Sequence, residues 1–273
     1  MGSYAGSSDW DDVPSRSDSS RFRPSRARST ASATPKKKTV VDDELELQEG
    51  TTKPINLILA FDTTGSMRAW IQNVREKIDY LCRGLFKLMD IRISLIGVGD
   101  HCDGPFMLQP YAPSAKIEDL EKAIHDIRGT SGGDYPEAFE CLFLHLNEDP
   151  MWSFDIPTVL VLITDSVPHG MSGEGDAGCP DGVDAREQLD KLMQKIKSFY
   201  LVNCGNHDAA IAIQKTLVKS ENYFMQLSNF RRLTNLVMAV CMDEVGELDF
   251  FMDLLEKQRG KDRREEVLAI MRK

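Results

Sequence analysis

From Ile55 onward the apolar positions of this chain follow two alternating rhythms. Short continuous apolar runs alternate with longer stretches in which apolar residues recur every three to four positions. The runs predict strands at 55–61, 91–99, 157–164 and 199–204, a shorter one at 222–227 and a short edge strand within 105–112. The periodic stretches predict helices over 67–89, 116–127, 135–147, 183–197, 207–219 and 229–242. Strands separated by helices with short joints imply right-handed crossovers. The expected fold class is therefore α/β: a doubly wound, mainly parallel sheet flanked by helices on both faces.

Two segments depart from that alternation. Residues 1–53 are rich in Ser, Arg, Pro and Asp and poor in large apolar groups, so they cannot bury enough surface to offset ordering entropy. They are expected to be a disordered tail and acidic linker, the latter carrying Asp42, Asp43, Glu44, Glu46 and Glu49. Basic patches at Arg21 to Arg28 and Lys36 to Lys38 read as solvated linker, with docking or nuclear import as the alternative; Ser29 after Arg26-Ala27-Arg28 is a candidate phosphate acceptor. At the other end, 244–273 is expected to be a helical extension. Leu248, Phe251, Met252, Leu254 and Leu255 give it an apolar face, Gly260 interrupts it, and Val267, Leu268, Ile270 and Met271 form a second amphipathic stub. Packing on the domain of 54–243 is the expected role, and a partner-binding helix the alternative.

Composition narrows the function classes. The chain has 273 residues, 41% hydrophobic, enough for a sizeable core. Its net charge is −10, while residues 1–40 carry a net +4, which leaves −14 on the rest. That balance argues against nucleic acid as a partner of the folded part. No signal-peptide pattern and no stretch of transmembrane length is seen, so a cytoplasmic protein is expected, with a nuclear location as an alternative from the basic tail. None of the six cysteines forms a C-x-x-C pair. Cys82, Cys141 and Cys241 sit in helical apolar patterns and Cys204 ends a strand-like run, so reduced, mostly buried thiols are expected. Cys102 and Cys179 lie in Gly-rich loops, where zinc or redox chemistry is the alternative.

Three loops carry unusual chemistry. The first follows the run Ile55–Phe61 and reads Asp62-Thr63-Thr64-Gly65-Ser66. The second reads Gly129-Thr130-Ser131-Gly132-Gly133-Asp134-Tyr135-Pro136-Glu137. The third begins at Asp165, after the run ending in Thr164. Loops after central strands of a doubly wound sheet converge, so these positions can meet around one ion. Carboxylates and hydroxyls are hard oxygen ligands suited to Mg²⁺. Each residue also has an ordinary use: Asp62 or Ser66 as a helix cap, the glycines as turn formers, Pro136 and Glu137 as a helix start, and Asp165 as a polar strand end. Their joint occurrence in three convergent loops favours metal binding.

In these motifs the chain resembles the von Willebrand factor A family over roughly 54–243. That family's metal-ion-dependent adhesion site has the form Asp-x-Ser/Thr-x-Ser in its first loop, matched by Asp62, Thr64 and Ser66, and an Asp after a later strand, matched by Asp165. The plain family pattern supplies Thr130 from the second loop. The string Gly132-Gly133-Asp134-Tyr135-Pro136-Glu137 looks instead like a subclass that includes integrin β subunits and intracellular members. By that resemblance Glu137 is a ligand of the central metal, and Asp134 joins Asp100 and Glu137 at a second ion. His101 and His169 are expected to act behind the ligands at most, and His125 and His145 to be ordinary helix residues.

The resemblance implies a Rossmann-like fold and a binding module rather than an enzyme. The bound cation, Mg²⁺ with Mn²⁺ or Ca²⁺ as alternatives, would keep one coordination position open for a carboxylate of a partner protein. An intracellular adaptor or assembly component is expected, for example beside an AAA+ ATPase or a kinase, with no membrane partner. Two other classes stand beside it. The string Asp62-Thr63-Thr64-Gly65-Ser66 also looks like the nucleophile loop of haloacid-dehalogenase-type phosphatases, although the later Lys and acidic pair of that family are not found. The third class is a structural scaffold whose metal site is unused.

Overall fold

The computed structural model describes residues 51–220, 223–227 and 232–271. The expectations placed on residues 1–50 — disorder, the basic patches, Ser29 and the acidic run — lie outside them. The six strands are β1 (Thr51–Asp62), β2 (Met89–Val98), β3 (Leu108–Ser114), β4 (Thr158–Thr164), β5 (Ser198–Asn203) and β6 (Phe224–Gln226). The helices are α1 (Arg68–Leu88), α2 (Ile117–Asp126), α3 (Phe139–Glu148), α4 (Ala185–Leu192), α5 (Asp208–Leu217), α6 (Leu233–Val245), α7 (Leu248–Arg259) and α8 (Lys261–Met271). They build one sheet in the order β3-β2-β1-β4-β5-β6, parallel except for the antiparallel edge strand β3. The fold is the α/β class expected from the apolar rhythm.

Successive side chains of a strand point to opposite faces, and β1 shows the consequence. Leu57, Leu59 and Phe61 join one core with Ile93, Leu95, Val159 and Val161, under α1, α2 and α6. Ile58 and Ala60 join the other with Ile96, Leu160, Leu162 and Leu201, under α3, α4 and α5. A strand buried on both faces has no polar face to show, which is why these strands read as continuous apolar runs. Each Leu or Phe so buried contributes about 1.5–3 kcal/mol relative to exposure. Phe251, Met252 and Leu255 of α7 and Val267, Ile270 and Met271 of α8 are buried in the first core. Packing, not display, therefore accounts for the apolar faces of these two helices. Among the described residues no helix is long and apolar enough to cross a membrane.

Several boundaries differ from expectation for local reasons. β1 starts at Thr51, inside the expected linker; its pairing with β2 is interrupted between Thr51 and Ile55, where Pro54 has no N–H to offer. The edge strand is shifted to 108–114, because His101–Phe106 form a 3-10 turn capped by Asp100. The helix expected at 135–147 starts only at Phe139. The residues just before it bond to other loops instead of opening the helix: Glu137 N–H donates to Val167 O (2.9 Å), and Ala138 N–H to Gly99 O (3.2 Å). The helix expected at 183–197 ends at Leu192. In the expected strand 222–227, β6 covers 224–226, and residues 221–222 lie outside the described chain, as do residues 228–231 before α6.

Candidate metal centre at the carboxyl edge of the sheet

The strand order reverses between β1 and β4, and their carboxyl ends open into the same crevice. Register sets the level. Phe61 pairs with Ile163 of β4 and Asp62 with Val98 of β2, so Asp62, Thr164 and the loop after Val98 share one edge.

Asp62 is fully buried. Its Oδ1 accepts hydrogen bonds from the Thr64 amide (2.8 Å) and the Thr64 hydroxyl (2.6 Å), a turn in which the Asp side chain stands in for backbone. Its Oδ2 accepts from the Thr164 hydroxyl (2.9 Å). Thr64 Oγ1 lies 3.5 Å from Ser66 Oγ, and Ser66 donates to Asp165 Oδ1 (3.0 Å). Neither Asp62 nor Ser66 caps a helix: the 3-10 turn Gly65–Met67 and α1 both begin without a side-chain cap bond. Gly205 is required beside Asp165, since a Cβ there would lie 2.9 Å from Asp165 Cβ.

The second loop places its two candidates differently. Thr130 is tied to Thr63, through its amide to Thr63 O (2.8 Å) and its hydroxyl to Thr63 Oγ1 (3.0 Å), while Thr63 Oγ1 also donates to Val98 O (2.9 Å). The bonds of Thr130 thus run to the loop's support. Glu137 turns toward Thr64 and Asp62 instead: a Cβ on Gly132 would meet Glu137 Oε1 at 3.3 Å and Thr64 Cβ at 3.4 Å. Glu137 is 4% exposed, and its Oε2 is buried with no hydrogen-bond partner. Burial, with the charge of Asp62 and despite a Thr64 hydrogen bond, pushes its carboxyl up to about 10. Burial likewise raises Asp62 to about 6, against its bonds from Thr64 and with the charge of Asp165 adding to the rise. Two carboxylates crowded this way favour a cation between them.

At the expected second ion position Asp100 and Asp134 come together with His169. Asp100 and Asp134 do approach a common atom, but that atom is Nε2 of His169, 3.3 Å from Asp100 Oδ1 and 3.5 Å from Asp134 Oδ1. Burial alone would lower the pKa of His169, yet Glu140, Asp100 and Asp134 together raise it to about 9. Asp100, Asp134 and His169 thus stand together as a group able to hold an ion, and the charge of Asp100 adds to the rise at Glu137. Asp100 is further engaged in a reciprocal cap, accepting from His101 N–H (2.6 Å) while its own N–H donates to Asp103 Oδ2 (2.9 Å). Gly133 makes the close packing possible, since a Cβ there would lie 2.6 Å from Asp100 Oδ2.

Sequence reasoning missed the residues next to this pair. His169 Nδ1 lies 3.2 Å from Glu140 Oε1, and the same oxygen lies 2.8 Å from His101 Nε2. Glu140 is fully buried in α3, where the apolar pattern disguised it. His101, Cys141, Cys179 and Asp181 form a further group on the far side of Glu140. Isolated histidines and cysteines far apart in the chain carry no spacing signal; the place of Cys179 in a Gly-rich loop and of His101 just after a strand were the hints of a role.

Beside the oxygen cluster runs a cleft of about 800 Å³ lined by Thr64, Gly65, Ser66, Arg68, Arg75 and Thr130, among others. It places cationic side chains next to the edge where the carboxylates gather.

No protein-family model and no curated protein sequence matches the chain. The fold is similar to part of the pilus adhesin SpaC from Lactobacillus rhamnosus GG in its open conformation, with a TM-score of 0.51, 11% identity, and coverage of 78% of this chain and 31% of that one. It is also similar to part of proximal thread matrix protein 1 from the mussel byssus, with a TM-score of 0.50, 16% identity, and coverage of 72% and 49% respectively. The chain thus spans less than half of either protein, and likeness at such identity shows the fold alone.

Proposed function

We propose that the protein is a metal-dependent protein-binding module of the von Willebrand factor A type. In this reading Asp62, Thr64, Ser66, Glu137 and Asp165 hold a divalent cation, best suited to Mg²⁺, and Thr130 supports the loop. The observation that carries the reading is the convergence of these five oxygen-bearing side chains at the strand-order reversal, with Glu137 Oε2 buried and unpartnered beside them. An orphaned carboxylate oxygen in a buried site is costly unless a cation joins it.

The chemistry is that of a Lewis acid with an affinity for carboxylate. Two of the donors are neutral hydroxyls, so a bound divalent cation retains attraction for an incoming anion. The partner fitting this edge is a protein segment presenting Asp or Glu, and Arg68 and Arg75 in the adjoining cleft favour further acidic groups around it. Both oxygens of Asp62 are engaged by Thr64 and Thr164, which suits an anchored ligand better than an attacking nucleophile. An adaptor role within a larger assembly follows from a module that binds and does not turn over.

The test uses the full chain. Mn²⁺ binding followed by electron paramagnetic resonance, with Mg²⁺ as competitor, is expected to report a site lost in Asp62→Ala. An array of acidic peptides and their Asn/Gln counterparts is then probed with Mg²⁺ and with chelator. Binding confined to acidic peptides, requiring metal and absent in Asp62→Ala, is the expected result. Peptide binding unchanged by complete metal removal would overturn the reading.

A further inference from the structure

The connection between β4 and α4 runs for twenty residues, 165–184, with no helix or ladder of its own beyond an isolated bridge at Pro168. Five of its glycines, Gly170, Gly173, Gly175, Gly178 and Gly182, adopt positive φ. Loops of this length inside a compact domain need something that holds them. Part of the hold is Asp176, which accepts from Ser172 N–H and Oγ–H (both 2.8 Å) and from Gly178 N–H (2.9 Å). These bonds stay within the loop. The start of the loop is tied to the rest of the protein by Val167 O, which accepts from Glu137 N–H, and by His169 N–H, which donates to Glu140 Oε2 (3.1 Å); farther along, Cys179 and Asp181 reach outside it.

Cys179 Sγ lies 3.8 Å from Cys141 Sγ of α3 and 3.5 Å from His101 Nε2 of the turn after β2. Cys141 Sγ lies 3.8 Å from the same His101 nitrogen. Both sulfurs belong to free thiols. In a tetrahedral zinc site with Zn–S of ~2.3 Å and Zn–N of ~2.0–2.1 Å, sulfurs stand about 3.8 Å apart and sulfur stands about 3.6 Å from nitrogen. The three separations match that triangle. Asp181 supplies a carboxylate, and one ligand atom from each of the four residues lies within 4.8 Å of the others. We propose that His101, Cys141, Cys179 and Asp181 form a structural zinc site that pins the 165–184 loop to α3 and to the turn after β2.

The donor set selects the metal. Two thiolates and an imidazole are softer than the oxygen cluster and favour zinc over Mg²⁺ or Ca²⁺. Glu140 Oε1 lies 2.8 Å from the same His101 Nε2 and 3.2 Å from His169 Nδ1, so zinc at Nε2 would replace the first contact and leave Glu140 to His169. His169 in turn faces Asp100 and Asp134, so the zinc cluster abuts the loops that form the oxygen cluster. A pinned loop would present Asp165, at its start, in a fixed place.

Elemental analysis of the full chain purified without chelator tests the site. About one zinc per chain is expected, retained in Asp62→Ala and lost in Cys179→Ser, whose side chain lies in the half-exposed loop rather than in the core. Cobalt substituted into the wild-type protein is expected to give thiolate-to-metal charge-transfer bands and tetrahedral visible absorption. Removing zinc with a zinc-selective chelator in excess Mg²⁺ is expected to raise proteolysis within 165–184. A chain that binds neither zinc nor cobalt, cobalt spectra without thiolate bands, or a Cys141–Cys179 disulfide in freshly reduced and refolded protein would each overturn the proposal. Because Asp62→Ala separates the two clusters, loss of zinc and loss of Mg²⁺ binding are distinguishable failures.

Discussion

Two polar clusters sit at the same edge of the sheet and differ in how they are made. The oxygen cluster takes three members, Asp62, Thr64 and Ser66, from one turn, where chain connectivity alone keeps them close. The nitrogen–sulfur cluster takes His101, Cys141, Cys179 and Asp181 from three separate segments, and only the folded sheet brings them together. The first is hard and strongly acidic; the second is softer. Between them stand Glu140, His169 and Asp100 in a chain of contacts. The comparison teaches that one loop edge can support two donor chemistries when buried carboxylates and an imidazole separate them.

The largest effect expected is from Asp62→Ala. Removing the buried carboxylate that anchors the first turn should weaken Mn²⁺ binding by more than ~100-fold in a resonance titration, above the loss typical of outer supporting groups. Zinc content should not change. A parallel loss of zinc would mean that the two clusters are one cooperative unit and not two.

Glu137 and Thr130 separate the two candidates from the second loop. Glu137→Gln is expected to lower Mg²⁺ affinity by ~10–100-fold by calorimetry. Thr130→Val should leave that affinity unchanged and cost about 1 kcal/mol of stability through the lost bond to Thr63. The reverse pattern would assign the metal to Thr130.

His169→Gln probes the link. Loss of the imidazole between Asp100, Asp134 and Glu140 should weaken both metals by about 10-fold, since it orients groups on both sides. An effect on one metal alone would break the coupling.

The smallest effect expected is a pH dependence of the chelated protein. Asp62 is raised from 3.8 to about 6, Glu137 from 4.5 to about 10, and His169 from 6.5 to about 9. In every case the folded state holds more protons than the unfolded state, so stability falls as pH rises. The metal-free melting temperature should decline between about pH 4 and 6 through Asp62, between about pH 4.5 and 10 through Glu137, and between about pH 6.5 and 9 through His169. The change should be about a few degrees by calorimetry. Mg²⁺ should raise the melting temperature more at pH 8 than at pH 5, where protons compete for the carboxylates.

Much of this is legible in the sequence. The strands 55–61 and 157–164 announced themselves because central parallel strands are buried on both faces, and their residues had to be apolar without interruption. The first turn was legible because its three donors are two residues apart. The start of α3 was not, since Pro136 and Glu137 read locally as a helix opening, whereas the backbone there bonds to Val167 and Gly99. Glu140 was hidden by its place in an apolar helical face, and Cys141 read as an ordinary core thiol.

By itself the sequence determined the α/β class, the order of strands and helices, and the turn Asp62–Ser66, because each depends on neighbours in the chain. Tertiary structure decided that Glu137 faces Asp62 while Thr130 faces Thr63, that an imidazole occupies the space between Asp100 and Asp134, and that Cys141 meets Cys179 and His101. Those choices depend on which loops the reversal of strand order brings to a common edge, and residues far apart along the chain carry no local trace of that meeting.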